Sequence, residues 1–239
     1  MAVIYSKQTK DTLFEVRTHG QTVRLYSNGV LHSQYNPNHI ISGAIWDLLV
    51  LPSFFKSIPP KNALVLGLGG GTVVHMIRHF YPECEVHCIE REMQHIQIAR
   101  RFFKIPKDVK VIKGDAYEYL EKSTQKYDWI LDDVFQHAGG EPERGVAFSD
   151  IFKLYKKALA KNGVLSMNTI GNEQLKELKA LKNDFESGYV FRHPLYENAI
   201  ISFFNNGRTK TTFFNETLKY KALDTRRKTC RLKVTLRSL

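Results

Sequence analysis

The chain has 239 residues, 43% of them apolar and 12% aromatic, which suits one domain with an appendage or two small domains and argues against disorder. Its formal charge of +11 is unevenly placed, because residues 208–239 hold ten Lys/Arg against Glu216 and Asp224, a net +8. Three cysteines (Cys84, Cys88, Cys230) are an odd count that points to a reducing compartment. The most apolar window, "IISGAIWDLLVLPSFF", is broken by Asp47 and Pro52 and is too short for a membrane span.

"MAVIYSKQTK" has no basic start followed by a long apolar stretch, so no signal peptide is read and a cytoplasmic protein is expected. "TLFEVRTHG", "QTVRLYSNG" and "VLHSQYN" read as strands with turns at His19-Gly20 and Asn28-Gly29; Asn-Gly between such runs signals a hairpin. Residues 1–38 are therefore read as a small β-hairpin unit. Residues 39–51 have helical apolar spacing, ended by Pro52. From residue 62 short apolar strands alternate with amphipathic helices: "ALVLG", "EVHCIE", "VKVIKG", "YDWILDD" and "GVLSMNTI" are the strands. "GYVFRHP" and "NAIISFFN" read as a closing antiparallel pair. This predicts an α/β fold over residues 39–207, a doubly wound, mostly parallel sheet covered on both faces, with ligands at the carboxyl ends of its strands.

Residues 208–239 form a basic segment with two readings, a surface for nucleic acid or another polyanion, or a solvated stretch that keeps the protein soluble. The second takes the greater weight. "CRLKVTLRSL" alternates apolar and basic residues, as an edge strand with one wet face would.

The chemistry gathers at strand ends. "LGLGGGT" lies between a strand and a helix, where N–H groups and the helix dipole can meet a polar or anionic ligand. No Gly-Lys-Ser/Thr follows, which excludes a P-loop, and Thr72 stands where a dinucleotide fingerprint has its third glycine. The second strand ends at Glu90, placed to accept both hydroxyls of a ribose. The third delivers Gly114-Asp115-Ala116, and the fourth ends in Asp132-Asp133. Neighbours on a strand point to opposite faces, so at most one of these two aspartates should look into the cleft.

"LVLGLGGGT", "VHCIERE", "VIKGDAYEYL" and "YDWILDDVF", in this order, resemble the spermidine synthase-like group of S-adenosylmethionine-fold transferases over roughly residues 60–170. The resemblance implies a seven-stranded methyltransferase-type, Rossmann-like sheet and a nucleoside sulfonium cofactor, S-adenosylmethionine or its decarboxylated form. It puts the glycine loop (Gly67, Gly69, Gly70, Gly71) around the cofactor's amino-acid or aminopropyl end, Glu90 on the ribose and Asp115 on the adenine, beside Ala116. The catalytic aspartate that helps deprotonate an attacking amine falls on Asp133. Asp132, grouped with the cofactor contacts, stands where the family usually has an uncharged residue.

Departures from the family bear on the reaction. An acid that pairs with the aminopropyl ammonium is replaced by Gly70, and Gln136 stands at a second acid of the family. A family Tyr-Gln pair maps to Ile45-Trp46. An Asp at 70 would repel the carboxylate of intact S-adenosylmethionine by about 1–4 kcal/mol. Glycine removes that repulsion and frees an N–H. The expectation is methyl transfer to an amine or hydroxyl, with polyamine aminopropyl transfer as the alternative and a non-catalytic nucleoside-binding protein third. A hinge at Gly139-Gly140, with His137, Glu141 and Glu143 meeting the acceptor, is expected in the loop after strand four. No metal site is expected, since His87 faces away from Cys84 and Cys88; His75, His79 and His95 read as surface residues. A small-molecule acceptor is the expected partner, and related folds often pair as homodimers.

Overall fold

Four antiparallel strands open the chain: β1 (Ala2–Gln8), β2 (Leu13–His19), β3 (Thr22–Ser27) and β4 (Val30–Tyr35), paired in that order. The computed structural model describes residues 1–138, 141–143 and 146–239, with backbone alone at 136–138 and 141–143. The β3–β4 turn uses Asn28 and Gly29, both at positive φ, as a two-residue hairpin loop requires. β1 adds a strand that the hairpin reading lacked. It is almost wholly exposed on both faces, so its strand form comes from pairing with β2 rather than from burial.

A short helix, α1 (Trp46–Val50), runs into a 3-10 turn (Leu51–Phe55). The helix is shorter than its apolar spacing predicts because the chain is held in a turn before it. Asp47 accepts from the backbone and hydroxyl of Ser42 (3.0 and 2.9 Å) and from the Gly43 N–H (2.7 Å). Pro52 does not end this stretch; it sits in the first turn of the 3-10 segment, where its missing N–H costs nothing.

The α/β part then follows as β5 (Asn62–Leu66), α2 (Thr72–Phe80), β6 (Glu85–Glu90), α3 (Met93–Ile98) with a π turn (Ala99–Phe103), β7 (Lys110–Lys113), α4 (Ala116–Lys122) and β8 (Tyr127–Asp132). Two short strands, β9 (Gln136–Ala138) and β10 (Glu141–Glu143), pair antiparallel. After them come α5 (Phe148–Ala158), β11 (Leu159–Thr169), α6 (Gly171–Ala180), β12 (Ser187–Arg192), β13 (Ala199–Phe204), α7 (Lys210–Thr217) and β14 (Thr235–Ser238).

The main sheet runs β14-β12-β13-β11-β8-β5-β6-β7, one strand more than expected. β11, β8, β5, β6 and β7 are parallel, while β13, β12 and β14 are antiparallel additions. The extra strand is the alternating stretch read as an edge, and it occupies residues 235–238. The segment 208–239 is thus not merely solvated, since α7 packs on the 3-10 turn and β14 extends the sheet. Leu64, Val65, Leu66, Trp129, Ile130 and Leu131 are all buried, as a sheet covered on both faces demands. Strand order reverses between β5 and β8, the crevice where doubly wound sheets take ligands.

Candidate active site

β5 ends at a loop whose backbone is fixed by contacts that admit only glycine. A Cβ at Gly67 (φ +85°) would lie 2.7 Å from the Asp133 carbonyl oxygen, so the ends of β5 and β8 touch backbone to backbone. A Cβ at Gly69 would meet Ser33 Oγ at 2.7 Å, at Gly70 the Phe103 ring at 2.6 Å, and at Gly71 (φ +89°) Ile105 at 2.4 Å.

The loop's donors are already engaged. Gly67 N–H bonds the Ile89 carbonyl (2.9 Å) and Gly71 N–H the Leu68 carbonyl (2.8 Å). Leu68 and Gly69 donate to Glu90 Oε2 (2.9 and 3.1 Å), and Gly70 donates to Ser33 Oγ (2.7 Å). The N–H at Gly70, expected to be left for a ligand, is therefore held by β4. That strand is bolted to the start of α2: Gln34 N–H donates to Thr72 Oγ1 (3.1 Å), and the Thr72 hydroxyl donates to the Gln34 carbonyl (3.0 Å). His75 stacks on Tyr35 (3.7 Å between ring centres) and its Nε2 lies 2.9 Å from the Phe103 carbonyl oxygen. It is half-buried rather than a surface residue, and burial lowers its pKa.

A cavity of about 580 Å³ opens above this loop, within the size range of small-molecule sites. Of the residues singled out in the sequence, Gly67, Gly69, Glu90, Asp115, Ala116 and Asp133 line it, together with Ile45 and Trp46. Glu90 is 7% exposed. Burial by itself would raise its pKa, but His95 beside it and the N–H groups of Glu92 and Leu68 outweigh this and hold it below the usual range. Asp115 caps α4, accepting at Oδ1 from Tyr117 and Glu118 N–H (2.8 and 3.1 Å). Asp133 accepts at Oδ1 from Asn168 Nδ2 (2.7 Å), and Asn168 Oδ1 accepts from Asn198 Nδ2 (3.1 Å).

Three of the predicted contacts lie elsewhere. Gly70 and Gly71 pack against Phe103 and Ile105 and shape the loop without lining the cavity. Asp132 is wholly buried, where the Tyr155 hydroxyl and the Val134 N–H donate to it. The pleat decides this, because of two successive residues only Asp133 can face the cleft. The expected hinge at Gly139-Gly140 and the side chains of His137, Glu141 and Glu143 lie outside the described residues.

The sequence reading missed His32, His95, Tyr196, Asn168 and Asn198, all cavity-lining. His95 is half-buried rather than a surface residue, with Nε2 3.2 Å from Ser27 Oγ and Nδ1 3.5 Å from Glu90. Asn168 was within reach of the same rule that found the acids, since "SMNT" also ends a central strand. Among the described residues no cluster of His, Cys, Asp or Glu could hold a metal, and no helix is long and apolar enough to cross a membrane.

The chain matches the family described as methyltransferase small domain over residues 48–194. It is 33% identical over 144 residues to the polyamine aminopropyltransferase of Vibrio vulnificus (strain CMCP6), a match covering 56% of this chain and 47% of that protein. The chain thus spans about half the length of that relative. In structure it is similar to a probable spermidine synthase from Corynebacterium glutamicum ATCC 13032, with a TM-score of 0.77 at 18% identity, covering 99% of this chain and 91% of that one. It is also similar to human methyltransferase-like protein 13 in complex with SAH, with a TM-score of 0.64 at 21% identity, covering 73% and 88%. At these identities the structural likeness is one of fold.

Proposed function

From the premise that the chain belongs to the methyltransferase small domain family, as a spermidine synthase-like member of its fold, we propose that it moves an alkyl group from an adenosyl sulfonium onto an amine, and that the group is aminopropyl. The observation that carries the transfer is the meeting of Glu90, Asp115 and Asp133, from three strand ends, on one cavity of nucleoside size. These residues fit such a cofactor: Glu90 for the ribose hydroxyls, Asp115 for the exocyclic amine, and glycine backbone close enough for the tail. When bound, the sulfonium supplies an activated carbon.

The residues of the chain supply alignment and a proton acceptor. Asp133 would orient the acceptor amine and take its proton as a C–N bond replaces the sulfonium's C–S bond, the neutral thioether nucleoside being the leaving group. Its Oδ1 is pinned by Asn168 (2.7 Å). The N-terminal sheet walls the cavity with Phe14, Leu31 and His32.

Two observations support aminopropyl rather than methyl as the group. Relatives such as the Vibrio vulnificus protein bear the name polyamine aminopropyltransferase. The N–H groups of residues 67–71 are all engaged within the chain, so the loop offers no ready donor to the carboxylate of intact S-adenosylmethionine. One observation favours methyl transfer as a second reading. Phe103 fills the space beside Gly70, leaving no counter-charge there for an aminopropyl ammonium.

Thermal unfolding with each cofactor form, followed by product analysis with putrescine, separates the two. The expected result is a larger shift with the decarboxylated form, since saturating ligand at about 100 times its Kd adds about 2.7 kcal/mol. A shift with intact S-adenosylmethionine alone, and methylated product, establishes the second reading instead.

A further inference from the structure

Outside this site the most unusual surface is the segment after α7. Eight cationic side chains between Lys219 and Arg237 are exposed there. Lys219 pairs with Glu216 and Arg226 with Asp224. Lys221, Arg227, Lys228, Arg231, Lys233 and Arg237 form no ion pair among the described residues. This charge is mounted on the core. Leu223 and Leu232 are buried, Cys230 Sγ donates to the Ala222 carbonyl (3.3 Å), and β14 is paired with β12.

Lys221, Arg227 and Arg231 converge on one groove of about 530 Å³ whose floor includes Ile40 and Ile41. Bringing three like charges to one concavity is unfavourable in the free chain, and an anion seated there relieves the repulsion. A single small anion would leave the rest of the row unused. From Arg231 to Arg237 exposed and half-buried or buried positions alternate, so Arg231 and Lys233, in the stretch before β14, and Arg237, on it, continue the charge along one exposed side of the segment. The ligand is therefore an extended polyanion. A lipid surface fits less well, because no large apolar side chain between residues 219 and 239 is exposed for insertion.

We infer that this groove and strap bind the phosphate backbone of a nucleic acid strand. The surface is separate from the transfer site and does not rest on the reaction assigned to it.

The test measures binding of the full chain to fluorescein-labelled oligouridine RNA, by anisotropy across a salt series. Binding at about 1–100 µM near physiological salt is expected, with log K falling against log salt at a slope of roughly −2 to −4 for three to six phosphates. Reversing the groove charges (Lys221→Glu, Arg227→Glu, Arg231→Glu) should weaken binding at least about tenfold and reduce the slope by about 2. The same reversal at Lys110 and Lys113 in β7, at the edge of the sheet far from β14, and at Lys107 just before β7, should cost much less. Both variants must keep the wild-type melting temperature for the comparison to count, and a Gln series at the same positions replaces any that does not. No binding at low salt, or equal losses in the two variants, overturns the inference. So does binding to phosphatidylserine vesicles or polyglutamate as strong as that to RNA.

Discussion

Asp133 and its two amide supports make a chain that can be taken apart one residue at a time. Asn198 holds the Asn168 carbonyl, which leaves the Asn168 amide to donate to Asp133. Were Asn168 to flip, its oxygen would face the carboxylate, so Asn198 acts as a positioning residue. Asp133→Asn should lower kcat by about 10²–10⁴ with the cofactor-induced melting shift retained, because it removes only the proposed proton acceptor. Asn198→Ala should lower kcat by about tenfold at unchanged cofactor affinity, a loss of about 1.4 kcal/mol from the transition state. Equal kcat in wild type and Asn198→Ala would remove Asn198 from the chain of effect. The acids were legible because strand ends in such sheets face the ligand, and that rule needs no tertiary knowledge. The same rule reaches Asn168, at the end of β11, but not Asn198 or His95, since each of these matters through a partner tens of residues away: Asn168 for Asn198, Ser27 for His95.

At the scale of elements, the glycine loop is set from below as much as from the cavity. Its side-chain directions are filled by Phe103 and Ile105, from the stretch after α3, and its Gly70 N–H is taken by β4. Gly70→Asp therefore adds atoms where a buried ring already stands, and should destabilise by about 1–3 kcal/mol, several degrees in Tm. Adding Phe103→Ala makes room. If Gly70 tunes cofactor choice, the double variant should gain affinity for decarboxylated over intact S-adenosylmethionine, by up to about 1–4 kcal/mol from the new carboxylate. Unchanged preference in the double variant would mean that charge at this position does not select the cofactor. None of this underside was readable in "LGLGGGT", where the glycines suggest only approach by a ligand. The parallel strands were readable, because burial on both faces leaves runs such as "LVL" and "WIL" without polar interruption. β1 escaped for the opposite reason, since an exposed edge strand carries no burial pattern to find.

Across the whole molecule, two buried carboxylates pull the pH dependence of stability in opposite directions. Burial raises the pKa of Asp47 from 3.8 to about 6, against the hydrogen bonds from Ser42, Gly43 and Ala44 that lower it. Between about 4 and 6 the folded chain keeps a proton that the unfolded chain has released. The stabilisation from Asp47 is thus complete at low pH, is lost as pH rises through about 6, and stays lost above, a swing of about 3 kcal/mol. Glu90, held below its usual range, works the other way; its contribution is present at neutral pH and lost as pH falls through its folded value. The two can be separated because Asp47→Asn removes only the first. Asn keeps an acceptor for Ser42 but turns an amide toward the Gly43 N–H, a cost that does not vary with pH. Urea unfolding of wild type and Asp47→Asn across this range should therefore show wild type losing about 2–3 kcal/mol relative to the variant as pH rises from about 4.5 to 7. A gap that stays constant would mean that Asp47 releases its proton as readily folded as unfolded. The turn at residues 42–47 would then owe its shape to the ionised carboxylate alone. Because Ile45 and Trp46 line the cavity from this turn, the same titration should appear in ligand affinity only if the turn itself moves.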